Sequence, residues 1–146
     1  MKKTLSFGLG LPCVLVMAMG FSCHENPNLK VLKSVDINKG CKVSVDPVTI
    51  KTDGQITWAA QDEANSITFP KTNPPNPPPY SPFTNLTAGQ AYPIAKGATL
   101  TSGPVADDVK DRCSKDDAKP KDCTFKYNVT GATPGCPNDP VVIIHP

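Results

Sequence analysis

The sequence has few of the side chains that usually carry catalysis. Its two histidines are His24, near the amino terminus, and His145, the penultimate residue. A hydrolase triad needs a histidine held between a nucleophile and a carboxylate, and two peripheral histidines offer no such arrangement. Neighbouring carboxylates such as Asp62 and Glu63 usually point apart and are well solvated. We therefore expect a protein that is not an enzyme and has no catalytic residues.

The chain also lacks an excess of charge of either sign. Its formal net charge of +2 belongs to Lys2 and Lys3, and the rest of the chain has 13 basic and 13 acidic residues. Nucleic-acid-binding domains carry a basic patch or stripe, so no nucleic-acid partner is expected. The locally acidic segment "DDVKDRCSKDD" interleaves lysines and Arg112 with its acids, and we interpret it as a solvated loop.

Helical patterns are scarce because 17 prolines are spread along the chain and proline breaks helix interiors. One short helical turn is predicted from Val105 to Arg112, where "PVADDVKDR" begins with proline and has early acids. Elsewhere, apolar and polar residues alternate with the period of β-strands. This alternation occurs in Cys41–Asp46, Val48–Ile50, Ile56–Trp58, Ser66–Phe69, Ala98–Leu100 and Phe125–Val129.

The strand patterns together predict an all-β fold, an antiparallel β-sandwich. The turn Thr52-Asp53-Gly54-Gln55 separates two strands and forms a hairpin or a tight corner, in which Gly54 can take a positive φ. The last run, Val141–Ile144, is continuously apolar, which is typical of a strand buried on both faces.

The amino-terminal residues are interpreted as an export signal. Lys2 and Lys3 form a basic start, and the mainly apolar run Leu5–Phe21 follows, ending in small and polar residues. This order is typical of a secretory signal peptide, and the run is short for a membrane span. We expect residues 1–22 to be a signal peptide, with a retained anchor helix as the alternative.

Gly20-Phe21-Ser22-Cys23 resembles a bacterial lipobox, whose cysteine receives a diacylglycerol and becomes the first residue, although Gly20 and Phe21 replace the usual leucine and small residue. Cysteine parity favours lipidation at Cys23. Once Cys13 leaves with the signal and Cys23 is modified, four cysteines remain and can pair completely, whereas a free Cys23 thiol leaves one unpaired. The alternative is cleavage after Gly20 or Ser22, which releases a soluble periplasmic or secreted protein.

Residues 23–34 are polar and include Asn26-Pro27-Asn28, so we interpret them as a flexible tether. The folded domain is expected to cover residues 35–146. An exported chain with this anchor faces the periplasm or the exterior, on the membrane of the cell envelope.

The segment "KTNPPNPPPYSPF" favours an extended polyproline II path. Pro77, Pro78, Tyr80 and Phe83 are candidate contact residues for a partner. The alternative is a stiff loop over one end of the sandwich, held down by Tyr80 and Phe83.

The four remaining cysteines favour two disulfides. Cys113 and Cys123 flank the charged stretch "SKDDAKPKD", so the simplest pairing closes that loop and joins Cys41 to Cys136 near the two ends of the domain. The sequence by itself allows three pairings. A zinc site is the rival interpretation, but the close Cys-x-x-Cys pairs that zinc sites usually contain are missing.

The stretch "DPVTIKTDGQITW" closely resembles the strand-turn-strand of cupredoxins, the plastocyanin-like Greek-key sandwiches. In that family a polar loop and a His-x-apolar-x-Phe strand follow, and the histidine binds copper. The matching stretch here is Asn65–Phe69, with Asn65 at the histidine position. Phe125 and Tyr127 match the family's aromatic strand, and Val141–Ile144 matches its last strand. The resemblance implies a cupredoxin-like Greek-key sandwich.

The resemblance also implies a missing copper site. Val129 occupies the thiolate position, Ala132 falls near the second histidine, and no methionine follows Met19. A type 1 copper site needs two imidazoles and a thiolate, so we expect no metal and no cofactor. The Asn65 amide is expected to satisfy backbone groups in the loop before its strand, and Ala59–Asn65 is then a plain polar connection.

The sequence supports two candidate functions for this protein. The first is a non-enzymatic, envelope-anchored β-sandwich lipoprotein that acts as a binding or structural module, with the membrane and another envelope protein as partners. The alternative is a copper-binding electron-transfer protein of the cupredoxin family.

Overall fold

The computed structural model describes residues 31–72, 81–114, 121–136 and 139–146. These residues form ten β-strands and one short α-helix. In chain order they are β1 (Leu32–Asn38), β2 (Lys42–Val43), β3 (Val48–Lys51), β4 (Gln55–Ala60), β5 (Asn65–Thr68), β6 (Ala91–Ile94), β7 (Thr99–Thr101), α1 (Asp107–Ser114), β8 (Cys123–Lys126), β9 (Asn128–Gly131) and β10 (Val141–His145). The expected all-β fold class is confirmed.

The described strands form three sheets with the orders β2-β1-β4-β7, β3-β10-β8 and β6-β5-β9. Only Tyr127 separates β8 from β9, and its backbone N–H donates to the Pro140 carbonyl at 3.0 Å. One almost continuous strand therefore pairs first with β10 and then with β5. It joins the second sheet to the third along the chain.

Two strand pairs are parallel, so the expectation of a purely antiparallel sandwich is wrong. β1 runs parallel to β4, and β3 runs parallel to β10. Parallel neighbours need a crossover connection. Here β3, which belongs to a different sheet, separates β1 from β4 along the chain, so the chain leaves the first sheet and returns beside β1 in the same direction.

The inward faces of all three sheets share one apolar cluster. Alternate residues along each strand point to the same face, which buries Ile56 and Trp58 in the first sheet and Phe125 and Val142 in the second. At the centre, the Trp58 ring meets Tyr127 edge-on, with ring centroids 5.6 Å apart. A single core shared by several sheets is consistent with a sandwich.

The turn between β3 and β4 is a corner, because the two strands belong to different sheets. Gly54 does not adopt a positive φ, so that expectation is wrong. A Cβ at Gly54 would lie 3.0 Å from Ile50 Cβ and 3.1 Å from the Lys51 carbonyl. Any larger residue here would require neighbouring atoms to shift by a few tenths of an ångström.

Some boundaries differ from those expected. β1 begins at Leu32, within the segment interpreted as a tether, because its first residues already pair with β4. β6 was not predicted, since Pro93 interrupts its apolar pattern, and it is an edge strand, where proline is tolerated. β10 is fully buried on one face only, at Val142 and Ile144, while Val141 and Ile143 are half-buried.

The predicted helical turn is present as α1, so the segment that begins at Asp107 starts as a helix, and its interpretation as a solvated loop is wrong there. Val105, Val109 and Cys113 recur every four residues and are buried, which places one face of this segment on the core. In the part of the chain that the structure describes, no helix is long and apolar enough to cross a membrane.

Candidate functional site

Asn65, the residue at the expected histidine position, begins β5 and is only 4% exposed. Its Nδ2 donates to the Glu63 carbonyl at 2.8 Å. This confirms that the amide serves the backbone of the preceding loop. Its Oδ1 lies 3.9 Å from Cys41 Sγ. The Asn65 side chain is thus enclosed between a loop and a cysteine.

The other positions of the expected site carry no donor side chain. Val129 is buried in the core and lies opposite Ile67 in the β5–β9 ladder, whereas Ala132 is exposed just beyond β9. His145 is the last residue of β10, about half exposed, and its Nδ1 contacts the Asp122 carboxylate. His24 lies outside the described residues, as does the proposed lipidation site Cys23.

The disulfides have the pairing that the sequence favoured. Cys41 is bonded to Cys136 across 95 residues, and Cys113 to Cys123 across 10. The first bond lies beside Asn65, and the second joins α1 to β8. Because the thiolate is the form of cysteine that binds metals, these four sulfur atoms are not available as thiolate ligands.

The carboxylates of Asp62 and Glu63, expected to be solvated and to point apart, both bind one turn of the backbone. Asp62 Oδ2 accepts a hydrogen bond from the Lys39 N–H at 2.9 Å, and Glu63 Oε1 accepts one from the Gly40 N–H at 3.1 Å. Glu63 Oε2 also accepts from Thr133 Oγ1 at 2.9 Å. One carboxylate therefore ties the β1–β2 turn to the loop that follows β9.

We call this group the Glu63 cluster; its members are Cys41, Glu63, Asn65, Thr133 and Cys136. Cys41 has a φ of 59°, which is uncommon for a residue other than glycine. The cluster fixes that turn through the Cys41–Cys136 disulfide and through the bond from the Gly40 N–H to Glu63. Its arrangement is that of a structural crosslink.

Gly131 provides the space in which this cluster packs. A Cβ at Gly131 would lie 2.8 Å from Asn65 Oδ1, 3.1 Å from Glu63 Oε1 and 3.2 Å from Cys41 Sγ. Real Cβ atoms essentially never approach another heavy atom within 3.0 Å. Gly131 was not predicted from the sequence, because nothing in its local pattern reveals contacts to residues so distant along the chain.

Two titrating groups are shifted by their surroundings. Burial raises the pKa of Tyr127 to about 12; Asp46 adds to the shift, and the nearby Trp58 indole opposes it without forming a hydrogen bond. The described residues offer no hydrogen-bond partner to Tyr127 Oη or to Trp58 Nε1. On the surface, the hydrogen bond from Lys110 and its charge hold the pKa of Asp107 below its usual value.

The candidate contact loop is described only in part. Pro77, Pro78 and Tyr80 lie outside the described residues. Phe83 is 3% exposed and packs edge-on against Trp58 at 6.1 Å between ring centroids. Phe83 is therefore not available as a contact residue; its ring belongs to the core, which agrees with the alternative of a loop held down by Phe83. It lines the floor of a shallow groove of about 420 Å³ with Ser81, Thr84, Leu86, Thr87, Ala88, Ala106 and Asp108.

Within the described ranges, no three histidine, cysteine, aspartate or glutamate side chains come together as a group that could hold a metal ion. Comparison with known proteins finds no family model, no curated protein and no solved structure that matches this chain.

Proposed function

We propose that this protein is a lipid-anchored, non-enzymatic β-sandwich of the cell envelope. In this proposal the sandwich is a Greek-key, cupredoxin-like domain whose metal end has become a structural crosslink, and it acts as a binding or structural module. The Glu63 cluster is the observation that carries the proposal, because it fills the end of the domain where the resemblance places copper.

The positions of the strands support the cupredoxin-like part of the proposal. The stretch that resembles the family's strand-turn-strand forms β3, a corner and β4, and Asn65 begins the next strand. The aromatic residues Phe125 and Tyr127 lie on the β8–β9 strand, and the last apolar run forms β10. The elements therefore follow the order that the resemblance implies.

The donor chemistry supports a scaffold without copper. A type 1 site needs two imidazoles and a thiolate, whereas an amide, a valine and an alanine occupy the corresponding positions at Asn65, Val129 and Ala132. The sulfur nearest to Asn65 belongs to the Cys41–Cys136 disulfide. No reaction or electron-transfer step is therefore assigned to this end of the domain.

Two disulfides in a chain of this size are typical of proteins that fold in an oxidising compartment. This supports the exported location, and the parity of the cysteines supports modification of Cys23. A lipid on Cys23 would hold the domain to a bilayer surface through the residues that precede β1.

Intact-mass measurement of the mature protein, with and without reduction, tests the anchor. We expect a chain that begins at Cys23, carries a diacylglycerol-type modification and gains only the hydrogens of two reduced disulfides. An unmodified Cys23 would overturn the lipid anchor, and the Cys23→Ser variant, which should accumulate unprocessed, provides the matched control.

Titration with Cu(II) under non-reducing conditions tests the scaffold without copper. We expect no intense thiolate-to-copper absorption band in the visible region and no stoichiometric binding. A band that appears in the wild type and is lost in the Asn65→Ala variant would overturn the scaffold without copper and support the copper-binding alternative. The matched control is Asn85→Ala, because Asn85 is exposed and lies outside the Glu63 cluster.

A further inference from the structure

Three large apolar side chains are exposed among the described residues, two where β1 begins and one in the segment between β2 and β3. They are Val31 at 49%, Leu32 at 56% and Val45 at 42% exposure. Val31 and Leu32 begin the domain, and Val45 shares a groove of about 270 Å³ with Lys33 and other residues of β1 and β3. We call Val31, Leu32 and Val45 the entry patch, because the chain enters the domain there.

The strand edge beside the entry patch is only partly paired within the described residues. β2 pairs with β1 only at Ile37 and Asn38, and Ser44 extends the contact to both backbone groups of Asp36. Backbone groups of alternate strand residues point to the same edge, so those of Leu32 and Ser34 face this side. The described part of the chain offers them no hydrogen-bond partner there.

The distance to the proposed anchor points to an occupant. Val31 follows Cys23 by eight residues, which span at most about 28 Å when fully extended. A lipid on Cys23 would keep the entry patch within that distance of the bilayer. We propose that the entry patch rests on the lipid surface and orients the sandwich with the β1 edge toward the membrane. This inference depends on the lipid anchor in the proposed function.

The size of the patch favours a lipid surface over a second protein. Stable protein interfaces bury about 1,200–2,000 Å², far more than three partly exposed side chains supply. An anchored domain needs much less, because the tether keeps a high effective concentration of the patch at the bilayer. A weak contact that could not hold two free proteins together is sufficient to orient a tethered one.

The polar groups of this edge set the depth of the contact. The backbone groups of Leu32 and Ser34, which find no partner on this edge among the described residues, would be costly in hydrocarbon. The Lys33 ammonium requires water or phosphate. The contact therefore lies at the headgroup level.

Pulsed hydrogen–deuterium exchange tests the orientation. The lipidated mature protein in phosphatidylethanolamine–phosphatidylglycerol vesicles is compared with a mature-length Cys23→Ser chain, expressed without the signal peptide, in solution. We expect the amides of Leu32 and Ser34 to exchange about tenfold more slowly on vesicles. β7, the opposite edge strand of the same sheet, is the internal control, and its exchange should not change.

Two triple variants separate the apolar contact from the anchor. Val31→Ser, Leu32→Ser and Val45→Ser together should abolish the slower exchange while the lipid stays attached. The matched control combines Val31→Ile, Leu32→Met and Val45→Ile and should retain it. Unfolding midpoints of both variants establish that the domain is folded.

Each of the other outcomes would overturn the proposed orientation, the lipid anchor or the choice of lipid as the occupant. Equal exchange on vesicles and in solution, with a lipid present on Cys23, would overturn the orientation and leave the anchor intact. Absence of the lipid would overturn the anchor, and this inference with it. A dimer of the mature-length Cys23→Ser chain that Leu32→Ser dissociates would show that the entry patch binds a second copy instead of lipid.

Discussion

At the scale of single residues, Gly131 carries a constraint that no other amino acid can meet without rearrangement. The Gly131→Ala variant should lower the free energy of unfolding by about 1–3 kcal/mol, because the added methyl group overlaps Asn65 Oδ1. Urea unfolding followed by Trp58 fluorescence measures this change. Ala132→Ser, at the exposed neighbouring position, should change stability by less than about 0.5 kcal/mol. Equal effects of the two substitutions would contradict the packing described for the Glu63 cluster.

Tyr127 makes stability depend on pH in the alkaline range. An unfolded tyrosine loses its proton near pH 10, whereas burial raises the pKa of Tyr127 to about 12. Between these values the unfolded chain binds fewer protons, so the free energy of unfolding falls as pH rises. The shift corresponds to a loss of about 2–3 kcal/mol across this window, measured by urea unfolding at a series of pH values.

Tyr127→Phe is the matched control for that measurement, because it keeps the ring and removes the hydroxyl group. Its unfolding free energy should lack this part of the alkaline decline. At neutral pH the variant should be as stable as the wild type or more stable, since the described residues offer the buried hydroxyl no hydrogen-bond partner. Parallel pH profiles for the two proteins would contradict the raised pKa.

The sequence predicts the role of some single residues and not of others. The amide of Asn65 serves the loop two residues before it, which the polar stretch before a strand already indicates. Glu63 reaches Gly40 across 23 residues and Thr133 across 70. No local pattern encodes such distances, so the carboxylate was expected to be solvated.

At the scale of elements, the Glu63 cluster couples the approach to β5 with the loop after β9. Glu63→Ala should cost about 1 kcal/mol, and Thr133→Val somewhat less, because the carboxylate is only half-buried. A double-mutant cycle measures the coupling between the two side chains, which we expect to be about 0.5–1 kcal/mol. The cycle of Glu63→Ala with Thr99→Val should give no coupling, because Thr99 pairs with Ala59 and is not a member of the Glu63 cluster.

Strands with regular alternation of apolar and polar residues can be predicted from the sequence, but the strands with which they pair cannot. The patterns at Val48–Ile50, Ile56–Trp58 and Phe125–Val129 correspond to observed strands, because alternation directly reports one buried face. The parallel pairing of β1 with β4 leaves no trace in either pattern, since it depends on a strand of another sheet. β1 was not predicted as a strand, because its first three residues are all exposed and only its later residues alternate.

At the scale of the whole molecule, the two disulfides close loops of very different length. The chain-entropy model assigns a loop of about 95 residues roughly 4.7 kcal/mol and a loop of about 10 residues roughly 2.7 kcal/mol. Replacing Cys41 and Cys136 by alanine should therefore destabilise the fold by about 2 kcal/mol more than replacing Cys113 and Cys123. Thermal and urea unfolding of the two double variants measure the difference.

A larger loss for the Cys113 and Cys123 pair would contradict this order. It would indicate that the attachment of α1 to β8 stabilises the fold more than closure of the long loop does. The fold class was predictable at this scale from composition and alternation. The packing of three sheets around one core was not predictable, because it depends on which sheet each successive strand joins.

The Cys41–Cys136 bond turns most of the sandwich into a covalent ring that contains every strand from β2 to β9. A protease that makes a single cut inside this ring opens the backbone and releases no fragment. In an oxidising compartment the nicked molecule therefore migrates as one species, and its two pieces separate only after a reductant reaches the bond.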